Sequence, residues 1–120
     1  MGFEFRVVFL EAGWYQQNRE VIFLVCYQLD SFVKSQLIRG SPLHKSKEIE
    51  IWMLDDKKSQ FLYDQRIFLR ENTLEIEVLV FTASFYRDLA LLLNFISQKT
   101  SAFLINDDGE IVSLPVLVQN

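Results

Sequence analysis

The residue types that most often carry chemistry are scarce in this chain, which holds one histidine, His44, and one cysteine, Cys26. His44 stands in a polar stretch, without a nucleophile or carboxylate at a spacing that would build a catalytic pair. Cys26 lies within an apolar run, whereas a reactive thiol needs an electropositive and partly open setting. One histidine and one cysteine cannot make a Cys/His zinc site. Neither residue is predicted to be catalytic.

Carboxylates are numerous, with 16 Asp and Glu residues against 12 Lys and Arg residues. The runs Asp55–Asp56 and Asp107–Glu110 do not have the ligand spacing of an EF-hand, and both stand where turns are expected. With 4 glycines in all, the sequence contains neither common phosphate-binding loop. No cofactor or metal is therefore predicted. Carboxylate pairs for acid–base chemistry stay open, because spacing in sequence says little about distance in the fold.

The charge and length of the chain restrict its class. Its 120 residues fit one domain spanning 1–120, and they carry a formal net charge of −4 with a pI of about 4.9. Nucleic-acid binding needs a basic stripe, so it is not expected. An acidic domain suits a basic partner or simply solubility. The lone cysteine, and the lack of a signal-peptide pattern or a membrane-length apolar run, predict a cytoplasmic chain without a membrane span.

The clearest structural pattern runs from Leu74 to Gln98 and predicts one strand that leads into one helix. Apolar residues occupy every second position from Leu74, which indicates a strand. Thr82 and Ser84 supply hydroxyls for a helix N-terminus, and a helical apolar stripe follows from Phe85. Similar alternation and an Asp-Gly turn predict further strands. These are Phe3–Phe9, Ile49–Met53, Phe61–Arg70 with an interruption near Asp64, Ala102–Ile105, and Glu110–Val118 with Pro115 marking an edge.

The segment from Arg19 to Arg39 fits two structures. Residues 20–27 are rich in β-branched and aromatic types, which is typical of a strand. Apolar residues nevertheless recur at helical spacing along the whole segment, Asn18 is a suitable N-cap, and Gly40 and Pro42 follow. We therefore predict one helix over Arg19 to Arg39, with Gly13 ending the strand before it.

This order of elements predicts an α+β two-layer sandwich, with a mainly antiparallel sheet and two helices on one face. It is similar to the ferredoxin-like split βαβ plan with an added hairpin, in which the first strand and the strand from Leu74 are parallel neighbours. The face away from the helices is expected to bind a protein. Alternatively, the loop after residue 40 or the last hairpin covers that face. The predicted contact residues are Glu48, Glu50, Trp52, Glu75, Glu77 and Phe81.

The segment from Tyr86 through Ile111 resembles a known class of protein. An amphipathic helix followed by Thr-Ser-Ala-Phe-Leu-Ile-Asn-Asp-Asp-Gly-Glu is similar to the C-terminal part of small bacterial immunity proteins. Those proteins are encoded beside polymorphic or contact-dependent growth-inhibition toxins. The resemblance implies a cytoplasmic, non-catalytic protein that binds and neutralises a cognate toxin domain, expected to be basic, such as a nuclease.

Two other functions stay open. Ferredoxin-like domains often pair as homodimers and bind metabolites between subunits, so a ligand-sensing module is the first alternative. An enzyme that uses carboxylates alone ranks last, because the sequence shows no recognisable nucleophile, metal or cofactor constellation.

Overall fold

A computed structural model describes residues 3–38, 48–54 and 62–112 of the chain. Within these ranges neither helix is long and apolar enough to cross a membrane. The elements in chain order are β1 (Phe3–Phe9), α1 (Ala12–Tyr27), β2 (Phe32–Leu37), β3 (Ile49–Met53), β4 (Gln65–Leu69), β5 (Leu74–Val78), α2 (Ala83–Lys99), β6 (Ala102–Ile105) and β7 (Ile111–Val112).

The strands form one sheet in the order β2-β3-β4-β5-β1-β6-β7, and every neighbouring pair is antiparallel. The predicted α+β sandwich is thereby confirmed. The expected parallel pairing of β1 with β5 is wrong, because Phe5 opposes Ile76 in an antiparallel register. The reason is that α1 carries the chain to the far edge of the sheet, and three successive reversals return β5 to β1 pointing the other way. β5 and β6 flank β1 and run parallel to each other, while a ferredoxin-like relation stays a prediction.

Alternation along the strands gives the sheet one apolar face, and both helices pack on it. In β5 the apolar residues Leu74, Ile76 and Val78 are buried, whereas the intervening glutamates are partly exposed. The helices add their own buried residues to the same core cluster, which fits the tendency of an apolar sheet face to be covered by helices. These residues are Tyr15, Ile22 and Cys26 from α1, and Phe85, Leu89, Leu92 and Ile96 from α2.

The predicted start of α2 is confirmed. Thr82 is the N-cap, and its hydroxyl accepts a hydrogen bond from the backbone N–H of Phe85 at 3.1 Å. The fully buried side chain of Gln65 donates to the carbonyl of Val80 at 2.6 Å, so β4 also holds the loop that leads into the helix.

The predicted single helix over Arg19–Arg39 is wrong at both ends. α1 already begins at Ala12, so Gly13 lies inside it, and α1 ends at Tyr27. The chain then turns and forms β2, whose residues pair with β3 along its length. The helical spacing beyond residue 27 therefore came from side chains that alternate in a strand, and pairing across the sheet overrode the local pattern.

The turn between α1 and β2 is fixed by a buried carboxylate from the other helix. Asp88 on α2 accepts hydrogen bonds from the hydroxyl and from the backbone N–H of Ser31, the latter at 3.2 Å. Both residues are buried. Because a buried carboxylate requires such donors, this contact holds the turn that follows α1.

The turn between β6 and β7 also follows the prediction. Gly109 has a φ of 78°, a conformation that favours glycine, and its N–H donates to the carbonyl of Asn106 at 3.0 Å.

The predicted strand over 61–70 is confirmed from Gln65 to Leu69, with the interruption before Gln65. The predicted features at residues 39–47, 55–61 and 113–118, which include His44, lie outside the described residues.

Tyr15 fastens α1 to the β4–β5 hairpin. Its hydroxyl donates towards the carbonyl oxygens of Arg70 and Thr73, which lie 2.6 and 2.8 Å away. Burial raises the pKa of this phenol, so the group stays a donor across the ordinary pH range.

We expect Tyr15→Phe to lower the free energy of unfolding by about 1–2 kcal/mol, because it removes the donor that these buried carbonyls share. Urea unfolding followed by circular dichroism measures the change. Tyr27→Phe is the control, since that side chain is exposed on the same helix and should have almost no effect. Equal losses in the two variants would contradict the role of Tyr15.

Candidate functional site

The sheet face opposite the helices is the candidate site, and no helix among the described residues covers it. The register places two rows of side chains across this face, which we call the open face. The first row is Gln36, Glu50, Phe68, Glu75, Arg6, Ile105 and Ile111. The second is Lys34, Trp52, Arg66, Glu77 and Glu4. Val8 and Phe103 lie opposite each other beyond these rows.

Arg66 on β4 links the two strands beside it. Its Nε donates to Glu77 Oε1 at 2.8 Å, and its Nη1 donates to Glu50 Oε2 at 3.1 Å. Gln36 on the edge strand donates to the other oxygen of Glu50 at 2.5 Å. Only 11% of the Glu50 side chain and 23% of the Arg66 side chain are exposed. Four adjacent strands are therefore joined by one line of charge-assisted hydrogen bonds.

A third ion pair lies at the end of β4. Arg70 Nε donates to Glu75 Oε1 at 3.0 Å, and the hydroxyl of Thr73 donates to the other oxygen of Glu75 at 3.0 Å. The ring of Phe68 lies between the two arginines, 5.0 Å from the guanidinium carbon of Arg66 and 5.2 Å from that of Arg70. Cation–π attraction therefore adds to the ion pairs in holding this part of the open face.

Trp52 lies at the β2–β3 side of the open face. The Lys34 ammonium is 4.0 Å from its ring centre, and the ring of Tyr63 packs at 5.0 Å between centroids. The indole Nε1 is buried and has no hydrogen-bond acceptor within the described ranges. Trp52 is thus partly buried among polar groups, with one donor left without a partner.

The β1–β6–β7 side of the open face is more apolar and less paired. Phe103 and Ile105 are partly exposed, and Ile111 at the edge is 70% exposed. Arg6 stands between this apolar group and β5. Arg6 is exposed, and its side chain makes no hydrogen bond or ion pair with any residue that the structure describes.

The structure brings five of the six predicted contact residues to the open face or its margin, but it separates Phe81 from them. Phe81 follows the end of β5, and its ring packs against Phe3, Phe5 and Tyr86 on the helix side. The expectation that it shares a face with Trp52 is wrong, because β5 ends at Val78 and the alternation stops there.

The predicted glutamates do not present free negative charge to a partner. Glu50, Glu75 and Glu77 each pair with an arginine of β4 or its end, and Glu48 accepts a hydrogen bond from the backbone N–H of Glu71 at 2.9 Å.

The sequence analysis did not predict that Arg66 and Phe68 belong to the open face. The signal was present, since both alternate with the buried residues of β4 in the same way as Glu75 and Glu77 do in β5.

Of the two residues first considered for catalysis, His44 lies outside the described residues and Cys26 lies in the core. Cys26 is fully buried in the core, and burial raises the pKa of its thiol to about 12, with the carboxylate of Asp88 adding to the effect. Among the described residues no group of three or more His, Cys, Asp or Glu side chains could hold a metal ion.

We expect Arg66→Gln to destabilise the fold by about 1–3 kcal/mol, because it leaves the nearly buried Glu50 carboxylate without a cation. Arg70→Gln is the matched control. It removes a pair whose side chains are 36% and 38% exposed, and solvent screening should limit the loss to less than about 1 kcal/mol. Urea unfolding compares the two variants, and a larger loss for Arg70→Gln would refute this ranking.

Cys26 should react about a thousandfold more slowly with iodoacetamide in the folded chain than in urea at about pH 8.5, because little thiolate forms. The folded chain holds this proton more tightly than the unfolded chain. The stabilising contribution of the thiol is therefore complete below pH 9 and declines as the pH rises from about 9 to about 12. Mass spectrometry of timed samples measures the rate, and equal rates in the two states would show that the thiol is accessible.

Comparison of this chain with protein-family models, with curated proteins and with solved structures gave no match. The case for a function rests on the open face and its side chains.

Proposed function

We propose that this chain is a non-catalytic protein-binding module that recognises its partner through the open face. The observation that supports this most directly is that both helices cover one side of the sheet, so that the other side is free of helices in the described ranges. That side carries aromatic and aliphatic groups beside the paired charges of Glu50, Arg66, Glu75 and Glu77. Such groups bind surfaces rather than react.

The ion pairs of the open face favour binding by a rigid surface. Glu50, Arg66 and Glu77 are held by hydrogen bonds before any partner arrives. The side chains therefore lose less rotamer entropy on association than free charged side chains would. Trp52 and Phe68, packed against Lys34 and the arginines, are the aromatic anchors that such a surface would offer.

The specific role that we propose is that of an immunity protein, which binds and neutralises a cognate toxin domain. Two observations support it. The net charge of −4 suits a basic partner, such as a nuclease domain. The helix, strand and Asp-Asp-Gly turn on which the resemblance to immunity proteins depends are formed as α2, β6 and the turn into β7.

The free negative charge lies at one end of the open face. Glu4, Asp107, Asp108 and Glu110 are all exposed, and none of them is in an ion pair within the described residues. Carboxylates at the rim of an interface raise the rate of association with a basic partner more than they raise its final affinity. We therefore propose that these carboxylates raise the rate of association and that the open face makes the contacts of the bound complex.

The test is co-expression of the chain with the product of the adjacent reading frame, with growth and co-purification as the two measurements. Trp52→Ala should weaken the complex by about 2 kcal/mol or more, because it removes an aromatic anchor. A chain that forms no complex with that product and does not protect growth would refute the immunity role.

Two exposed aliphatic residues on opposite sides of the sheet provide a matched comparison. Ile111 belongs to the open face and Leu91 to the outer side of α2, and they are 70% and 57% exposed. Ile111→Ala should weaken the complex by about 1 kcal/mol, whereas Leu91→Ala should leave it unchanged. The reverse result would place the contact on the helices.

A further inference from the structure

A depression of about 320 Å³ lies on the open face over β5, β1 and β6. Phe68 lines one side of it, Ile105 lines the other, and the turn from Asn106 to Gly109 closes a third. The ionisable residues of its lining are Glu4, Arg6, Glu75, Glu77 and Asp107. The walls are therefore partly apolar, and the floor carries more carboxylates than cations.

Two of these carboxylates oppose each other directly. Glu4 on β1 is the register partner of Glu77 on β5, and both side chains point to the open face. Like charges at directly opposed positions of neighbouring antiparallel strands repel and cost stability. A cation placed between Glu4 and Glu77 would remove that cost.

The chain does not provide this cation among its described residues. Arg66 pairs with Glu77 but is shared with Glu50 on its other side. Arg6 lies in the neighbouring row, where its register partner is Glu75. The carboxylate of Glu4 makes no hydrogen bond or ion pair in the described ranges, so the row ends on a carboxylate that is not paired with a cation.

Asp107 adds a third carboxylate at the same place. Its two oxygens accept the backbone N–H of Glu4 at 3.2 and 3.4 Å, which holds the turn against β1. The described carboxylates do not form a group that could hold a metal ion. The geometry instead suits a larger organic cation with an apolar stem, which can reach separate carboxylates while its stem contacts an apolar wall.

We propose that this depression receives an arginine side chain of the partner protein, with its stem against Ile105 and its guanidinium between Glu4 and Glu77. This inference rests on the proposed function and names the chemistry of one contact within it. Arginine fits better than lysine, because its planar group donates to two carboxylates in fixed directions.

The probe is the peptide acetyl-Ala-Arg-Ala-amide, followed by ¹⁵N–¹H NMR of the labelled full chain. We expect saturable shifts at the amides around Glu4, Glu77 and Asp107, and no such shifts with acetyl-Ala-Gln-Ala-amide. Glu4→Gln and Asp107→Asn should each weaken the peptide by about threefold to fivefold, as expected for partly exposed ion pairs.

Asp108→Asn is the matched control for Asp107→Asn, because it makes the same charge change in the same turn and Asp108 does not line the depression. It should leave the affinity unchanged. An absence of saturable shifts, equal shifts with the glutamine peptide, or equal losses for Asp107→Asn and Asp108→Asn would overturn the proposal.

Glu4→Lys should change the stability of the chain and its binding of the arginine peptide in opposite directions. The lysine would face Glu77 and supply the cation, so the urea midpoint of unfolding should rise while the shifts caused by the arginine peptide are lost. If the urea midpoint fell together with the peptide-induced shifts, Glu4 would act only in the fold. Failure of the peptide test with a complex still sensitive to Trp52→Ala would refute the depression as an arginine site and leave the proposed function standing.

Discussion

The buried carboxylate of Asp88 is the contact on which the rest of the fold depends. A carboxylate that is 2% exposed is costly unless donors reach it, and Ser31 provides two. That requirement joins α2 to the turn that follows α1 through a polar link, in addition to the apolar contacts between the helices. It also holds the turn after which the chain becomes extended and pairs, as β2, with β3 at the edge of the sheet.

The open face follows from the placement of the helices. α1 and α2 pack on one side of the sheet, and no helix of the described ranges covers the strand residues that point to the other side. The chain fills that other side in two ways. Near β3 and β4 it pairs charges around Arg66, and near β6 and β7 it leaves Phe103, Ile105 and Ile111 partly or largely exposed. An antiparallel sheet with one solvated face normally carries polar residues on that face, so the exposed apolar residues near β6 and β7 are the unusual part of it.

Local patterns in the sequence predicted those parts of the fold that depend on local physics. The strand from Leu74 and the N-cap at Thr82 were correct, because alternation and capping each involve neighbours in sequence. The end of α1 was not predictable in this way, since the chain after it contacts Asp88, 57 positions after Ser31, and pairs with β3. For the same reason alternation assigned Glu50 and Glu77 to one face but could not show that Arg66 lies between them.

The two halves of the open face would contribute differently to an interface. Covering the Glu50–Arg66–Glu77 line removes water from charges that keep their hydrogen bonds, so the desolvation cost is smaller than for unpaired ions. Covering Glu4 and Asp107 without supplying a cation would bury uncompensated charge, which is strongly unfavourable. A partner without a cation could therefore cover the Glu50–Arg66–Glu77 line at little cost, but it could not cover Glu4 and Asp107 without a large one. In such an interface, specificity would come from the end of the row at Glu4, because only a partner with a cation at that point avoids the cost.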